Sequence, residues 1–400
     1  MIIDSFKVVA ATTDITDLIT GMTFFESING MLQGNIQMLD GQNFFDLAIG
    51  QQNRLIPVEV EFSYLRRKVA MAFMIDGINQ MKIFKQEKSY VMHLITIEEF
   101  NLKLLDINAV YNGTSNDVVE QIFLQASGET NKLIVNTLST TKGKYIVPNI
   151  PAIEAIANVT YAAVDANQSG FYFYQRLYDE GACRFASLYS MSKDFHIVNG
   201  EEFKIKNTSV GLKELDEENS QLREGTASAF ELEEYRMHHS DKLARGEYGH
   251  KIHHVELDKT KINKYGPLTN SSSQVSTRFK ISELLYGRPI TIPPGPHSDE
   301  EPEIYEQKSL FHDVDLPNTQ AAINLRKRMY NNTINVSSMV PSPNLGCGKS
   351  IILELGGSDI SYSVSDGPYI ISNVNHLFSR TDDGGGMQYV QNVKLLREYA

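Results

Sequence analysis

The alternation between Asn332 and Tyr399 constrains this chain more than any other feature. Ile351, Leu353 and Leu355 alternate with Ile352 and Glu354, the period of a strand with a buried face. Ile370, Val374 and Phe378 share one side of the next run, and Ser372 and His376 fall on that same side. In the closing run Met387, Tyr389, Val393 and Leu395 face one way, and Gln388, Asn392 and Lys394 face the other. Gly356-Gly357, Asp366-Gly367-Pro368 and Asp383-Gly384-Gly385-Gly386 separate the runs, and such residues supply positive φ or fix it. The stretch reads as a small antiparallel sheet or barrel with a polar outer face.

The same texture returns at the other end, over 1–105. Asn29-Gly30 is a hairpin signal, followed by Leu32, Gly34, Ile36 and Met38 against Gln33, Asn35 and Gln37. Val58, Val60, Phe62 and Tyr64 against Glu59, Glu61 and Ser63 give the cleanest period of two. Met71, Phe73 and Ile75, then Val91, His93, Ile95 and Ile97, continue it toward a sandwich or barrel.

Over 106–203 the period changes. Ser115 is placed to cap a helix carrying Val118, Val119, Ile122, Phe123 and Ala126, which Gly128 ends. Pro151 suits the first turn of a second helix with Ile153, Ile156, Ala157, Thr160 and Val164 on one side. FYFYQRLYDEGACRFASLYSM then reads as two strands around Asp179-Glu180-Gly181, which makes a small α+β module. Over 204–310 the chain is first charged and poorly periodic, then strand-like at Phe230 and Leu232. It later passes through the proline-rich surface loop Pro289–Pro296. Over 311–400 Asn318 can cap a helix bearing Ala322, Leu325 and Met329, which leads into the closing strands. The expected class is α+β, predominantly β: two antiparallel barrels, an inserted α+β module and a loop-rich docking region.

With 42% hydrophobic and 22% charged residues, the 400-residue chain has globular composition. Its net charge of −12 argues against sequence-independent nucleic-acid binding, which needs clustered Lys and Arg. Cys183 and Cys347 are expected as reduced thiols of a cytosol-folded protein. The start, MIIDSFKVVAATT, lacks the basic region and long apolar core of a signal peptide, and no apolar run approaches a membrane span. The protein is expected to be soluble.

Three motifs invite chemistry. Asn344–Ser350, NLGCGKS, resembles a phosphate loop, yet Pro343 stands where the loop needs glycine and the strand-like IILEL follows where it needs a helix; a tight turn is expected. His238, His239, His250, His253 and His254 gather half of the ten histidines. On a helix His250 and His254 would share a face and could hold a metal with His238. Gly246 and Gly249 upstream, and the alternation at Val255 and Leu257, favour turn and strand, so the histidines are expected at a solvated surface or interface. The adjacent carboxylates Glu98-Glu99, Glu233-Glu234 and Glu300-Glu301 are expected at the surface rather than converging on a cleft. The run Phe171–Tyr174 has no interleaved basic residues and reads as strand core. No catalytic residue, cofactor-binding residue or metal site is assigned.

The order of elements resembles that of the baseplate hub proteins of contractile-tailed bacteriophages, whose type case sits above the T-even cell-puncturing spike. The resemblance rests on NGMLQGNIQMLDG as the early hairpin of a first tube domain. Further support comes from the helix, aromatic strand, turn and strand of 106–200, from ARGEYGHKIHHVELD, and from GPYIISNVNHLF with its Gly-rich tip and a strand ending in KLLRE. It implies a non-enzymatic virion protein that forms a homotrimer and joins the six-fold tail tube to a three-fold central spike around a DNA exit channel. Its implied partners are tube initiator proteins, the spike and surrounding wedge proteins. A metal-dependent hydrolase using the 238–254 histidines, or a receptor-binding β protein, is the alternative.

Overall fold

Period-two alternation becomes strand wherever the turns allow it. The computed structural model describes residues 2–46, 55–83, 87–129, 132–167, 169–207, 225–227, 229–235, 250–255, 305–310, 332–355, 366–381 and 386–397. In 250–255 and 305–310 it describes the backbone alone.

The first part holds β1 (Ser5–Ala10), β2 (Thr13–Asp14), β3 (Ile19–Ser27), β4 (Gln33–Asp40), β5 (Pro57–Tyr64), β6 (Arg67–Ile83) and β7 (Lys88–Thr96). The α+β module holds α1 (Ile97–Leu104), β8 (Asp106–Thr114), α2 (Ser115–Ser127), β9 (Leu133–Val135), β10 (Lys142–Pro151), α3 (Ala152–Ala162), β11 (Phe171–Gln175), β12 (Cys183–Ser187) and α4 (Leu188–Lys193). Beyond it come β13 (Ile197–Val198), β14 (Glu201–Glu202), β15 (Lys204–Asn207), β16 (Thr226–Ala227), β17 (Ala229–Tyr235), β18 (His250–Val255) and β19 (Tyr305–Leu310). The last strands are β20 (Asn332–Met339), β21 (Ser350–Glu354), β22 (Gly367–Arg380) and β23 (Met387–Leu396).

A single hydrogen-bonded sheet runs through both β-rich ends of the chain. Its first barrel is ordered β23-β22-β3-β4-β7-β6-β5-β1. It closes where Ile2 bridges Gln388 and the Ile3 N–H donates to the Met387 carbonyl at 3.0 Å. Its core joins Phe24, Phe62, Tyr64 and Phe73 to Phe378, Met387 and Tyr389 from the far end of the sequence. Phe378 stacks on Tyr389 with ring centroids 4.4 Å apart, and Phe62 meets Phe378 edge-on at 5.0 Å.

The second barrel uses the other halves of the same two strands. β21 pairs with β22 over Gly367–Ile370, β15 runs parallel to β21, and β16 runs parallel to β15. On the opposite side β20 pairs with β23, and β17 pairs with β20. Val340 exchanges hydrogen bonds with Thr226 (2.8 Å) and Gly225 (3.2 Å), which closes the ring of strands. Phe203, Ile205, Ile334, Val336, Ile351, Leu353, Val393 and Leu395 fill this core.

The alternation of 332–399 therefore does make strands, but their residues are divided between two barrels. Length is the reason. β22 has 14 residues, which at a strand's rise reaches roughly 45 Å, more than one small barrel needs. The β22–β3 pairing begins at Asn373, just past a register shift between Ile371 and Asn373, where one barrel gives way to the other.

The module packs α1, α2 and α3 with the β8–β10 ribbon and the three-stranded sheet β11-β12-β9 around Leu102, Val118, Ile122, Phe123, Ile156, Phe171 and Phe185. Thr114, not Ser115, caps α2. Its hydroxyl accepts from Asp117 N, and the Asp117 carboxylate accepts from Thr114 N at 2.9 Å, a reciprocal capping box that Ser115 is one residue too late to make. Gly128 ends the helix at φ 72°, as its position in the sequence requires. Pro151 precedes the first helical residue of α3 and closes β10. The helix expected after Asn318 and the loop Pro289–Pro296 lie outside the described residues.

Replacing Thr114 by Ala removes one capping acceptor, so α2 should lose about 1 kcal/mol. In urea unfolding followed by far-ultraviolet circular dichroism, the midpoint should fall with no change in the native spectrum.

Candidate functional site

Polar side chains on an inward strand face must find partners there, because water cannot reach them. Glu26 follows Met22 and Phe24 on the buried side of β3, and His376 lies between Val374 and Phe378 on β22. Gln391 lies between Tyr389 and Val393 on β23. All three have 0% exposure. The pairing register sets His376 opposite Gln391 and Val374 opposite Glu26, so the strands themselves assemble the cluster.

The donors and acceptors match in sequence. Glu26 accepts from Leu177 N at 2.6 Å, Cys347 N at 2.8 Å and His376 Nε2 at 3.0 Å. A carboxylate only accepts, so the His376 proton sits on Nε2 and its Nδ1 accepts from the Tyr389 hydroxyl at 2.7 Å. That hydroxyl in turn accepts from Gln391 Nε2 at 2.8 Å and meets the Tyr178 hydroxyl at 3.2 Å. Burial, then the neighbouring Tyr178, pushes the Tyr389 phenol well above its ordinary range and keeps it protonated. Gln391 Oε1 accepts from Ser342 N at 3.0 Å, and Ser342 Oγ lies 3.0 Å from His196 Nε2.

This cluster is where three parts of the molecule meet. Arg176 and Leu177 come from the turn after β11, and Cys347 comes from the segment that sequence marks as NLGCGKS. Arg176 is 2% exposed; its Nε donates to the Cys347 carbonyl at 2.6 Å, and its guanidinium reaches Asp194 at 3.4 Å. Lys349 holds the same Asp194 at 2.7 Å. NLGCGKS is indeed a turn that enters β21, with Asn344 at φ 64° and Gly348 at φ 72°. Gly348 has a further reason to lack a side chain, since a Cβ there would stand 2.4 Å from the Tyr174 hydroxyl.

With Glu26, His376 and Gln391 fully buried, no reactant can touch the cluster unless the barrels open. Two surface clefts, of about 520 Å³ and 360 Å³, are lined by other residues, around Asp14 and Asp117 respectively. The arrangement holds segments together; it does not present a nucleophile or base to solvent. Both thiols are buried, and burial raises each well above the ordinary thiol range, with Glu26 adding to the effect on Cys347 and Glu98 on Cys183.

Glu98 and Glu99, expected at the surface, are 5% and 3% exposed. They occupy the first turn of α1, where unpaired N–H groups favour anions, and Lys132 and Lys103 neutralise them at 2.7 and 2.9 Å. His250 and His254 lie on strand β18, opposite Tyr305 and Ser309 of β19, so the helical spacing that would pair them is not adopted. His238 lies outside the described residues, as does Glu300-Glu301. Among the described residues, no group of three His, Cys, Asp or Glu is placed to hold a metal. The sequence signal for the cluster was the pair Ser372 and His376 on an apolar face; Glu26 and Gln391 carried the same signal and were missed.

Glu26→Ala would leave three buried donors without their acceptor and should cost about 3–5 kcal/mol, read as a lower urea midpoint. His196 gives a second prediction. It is 4% exposed, and burial, then Lys349 and Arg176, lowers its pKa from 6.5 to about 4. The unfolded chain takes up this proton below about pH 6.5 while the folded chain refuses it until about pH 4. Stability should therefore fall across that window by up to about 3 kcal/mol. His196→Gln should show a smaller drop between pH 7 and 4.5 than the native chain.

The fold has counterparts among solved structures. A tail protein from Neisseria meningitidis aligns over 98% of this chain and 97% of its own length, at 8% identity and a TM-score of 0.55. A 43 kDa tail protein of prophage MuSo2 from Shewanella oneidensis aligns over 98% of each chain, at 11% identity and a TM-score of 0.56. A type VI secretion component of E. coli aligns over 96% of this chain and 74% of its own, at 10% identity and a TM-score of 0.49. No protein-family model matches the chain, and no curated protein does. At these identities the likeness is one of fold: this chain is built as the two tail proteins are.

Proposed function

We propose that this chain is the baseplate hub subunit of a contractile phage tail, a structural protein that closes into a homotrimeric ring. One observation carries the reading. A single chain holds two barrels fused through the same pair of strands, β22 and β23. Three such chains would present six barrels to a six-fold tail tube and a three-fold face to a central spike. The whole-length likeness in fold to two tail proteins supports the same reading.

In this reading the tube initiator proteins dock above, the spike docks below and wedge proteins surround the ring. DNA leaves through the channel without specific binding. The protein acts by assembly, not catalysis, which the sealing of the Glu26–His376–Tyr389–Gln391 cluster supports, and the histidines of β18 serve no metal. It resides in the virion tail baseplate after assembly in the host cytoplasm. Residues 1–105 and 311–400 supply most of the barrels, 106–203 the α+β module, and 204–310 a docking region.

Electron-microscopy class averages of the chain, purified with its co-expressed spike protein, should show three-fold rings with an open channel capped on one side. Metal analysis of the same sample should find none in stoichiometric amount. A monomer carrying one tightly bound transition metal would overturn the proposal.

A further inference from the structure

Over 165–170, between α3 and β11, the chain reads DANQSG. Calcium loops of the helix–loop–helix type use this spacing, with oxygen ligands at the first, third and fifth positions and glycine at the sixth. Their twelfth position is a bidentate glutamate, where this chain has Arg176, so the spacing alone does not make a site.

The structure adds an independent observation. Asp165 is 2% exposed. Its Oδ1 accepts from Asn167 N and Ser169 N, both at 2.9 Å, which folds the carboxylate over the turn. Its Oδ2 is buried and has no hydrogen-bond partner among the described residues. The donors around it are engaged elsewhere. Ser139, which bridges Asp165, gives its N–H to Asn116 Oδ1 and its hydroxyl to the Val164 carbonyl. Asn116 Nδ2 donates to the Thr137 carbonyl, and Thr140 N to that of Val164. Glu99 Oε2 is also unmatched, but that carboxylate has Lys103 at 2.9 Å. No Lys, Arg or His among the described residues forms an ion pair with Asp165.

A buried carboxylate oxygen with neither donor nor counter-charge is strongly unfavourable, and a hard cation relieves it using oxygen ligands alone. We propose that the 165–170 turn binds one Ca²⁺. Asp165 Oδ2 is its carboxylate ligand, Asn167 and Ser169 its neutral side-chain ligands, and water completes the shell where Ala166 is exposed. Ser169 Oγ accepts from Tyr189 N at 2.8 Å and keeps a second lone pair. Calcium fits because it tolerates irregular sets of amide and hydroxyl oxygens, whereas magnesium demands a near-ideal octahedron. One carboxylate sets a weak affinity, about 10⁻⁴–10⁻³ M. Such an ion leaves protein purified without added calcium, unlike a tightly bound transition metal. When bound it clamps the turn that leads into β11 and on to Arg176 and Leu177 at the Glu26 junction.

The test is equilibrium dialysis of the full-length chain against radioactive calcium chloride up to about 10 mM, roughly ten times the weaker end of that range. The native chain should saturate with one ion, and Asp165→Asn, which keeps the acceptor for both N–H groups, should lose it. Asp106→Asn, an exposed position with the same change of charge, should bind as the native chain does. Calcium should also raise the melting temperature of the native chain and leave that of Asp165→Asn unmoved. No saturable site in the native chain, or equal binding by Asp165→Asn, overturns the proposal. If Asp165→Asn fails to fold, Asn167→Ala decides: at least about tenfold weaker binding supports the site, and unchanged affinity overturns it.

Discussion

A single buried carboxylate ties the molecule together. Glu26 belongs to the first barrel, yet its three donors come from β22, from the α+β module and from the turn before β21. A charge with no exposure survives only when each lone pair it turns inward is met. Each donor here is positioned by a different unit, two of them as backbone N–H groups whose place is fixed by local turn geometry. Correct seating of all three units is therefore a condition for burying the charge at all, which gives the packing a specificity that apolar contact alone would not.

The shared strands extend the same logic. β22 and β23 pair along nearly their full lengths, so the two barrels are one sheet rather than two bodies on a linker. A hinge between them would have to break that ladder in its middle, where the Glu26–His376–Tyr389–Gln391 layer also crosses. Apolar cores lie on both sides of this layer, with Phe62 and Phe378 on one and Ile371, Val393 and Leu395 on the other.

The strands were legible because their period is local. Pro57–Tyr64 reads as strand from eight residues and is one, with its buried and solvated faces where alternation puts them. The turn at NLGCGKS was legible for the same reason, since Pro343 and the strand that follows are neighbours in sequence. The surface assignment of Glu98-Glu99 failed because burial depends on Lys132, Lys103 and the start of α1, which adjacency of two carboxylates does not encode. Glu26 was invisible for a longer-range reason: its partners lie 151, 321 and 350 residues away.

By itself the sequence determined that the chain is mostly β, that a helical module interrupts it, and which residues of strands such as β5 face inward, though not of β7, where Tyr90, Met92 and Leu94 fill the core in place of Val91 and His93. These follow from periods of 2 and 3.6 residues and from turn chemistry, all of which act within a few residues. The tertiary structure alone decided that β22 and β23 serve two barrels, that Ile2 and Ile3 close the first against the C-terminal strand, and that Glu26 sits at the junction. Hydrogen-bond ladders carry no sequence label. Any strand edge offers the same N–H and C=O groups, so the choice of partner is left to whichever pairing buries the inward residues of every unit at once.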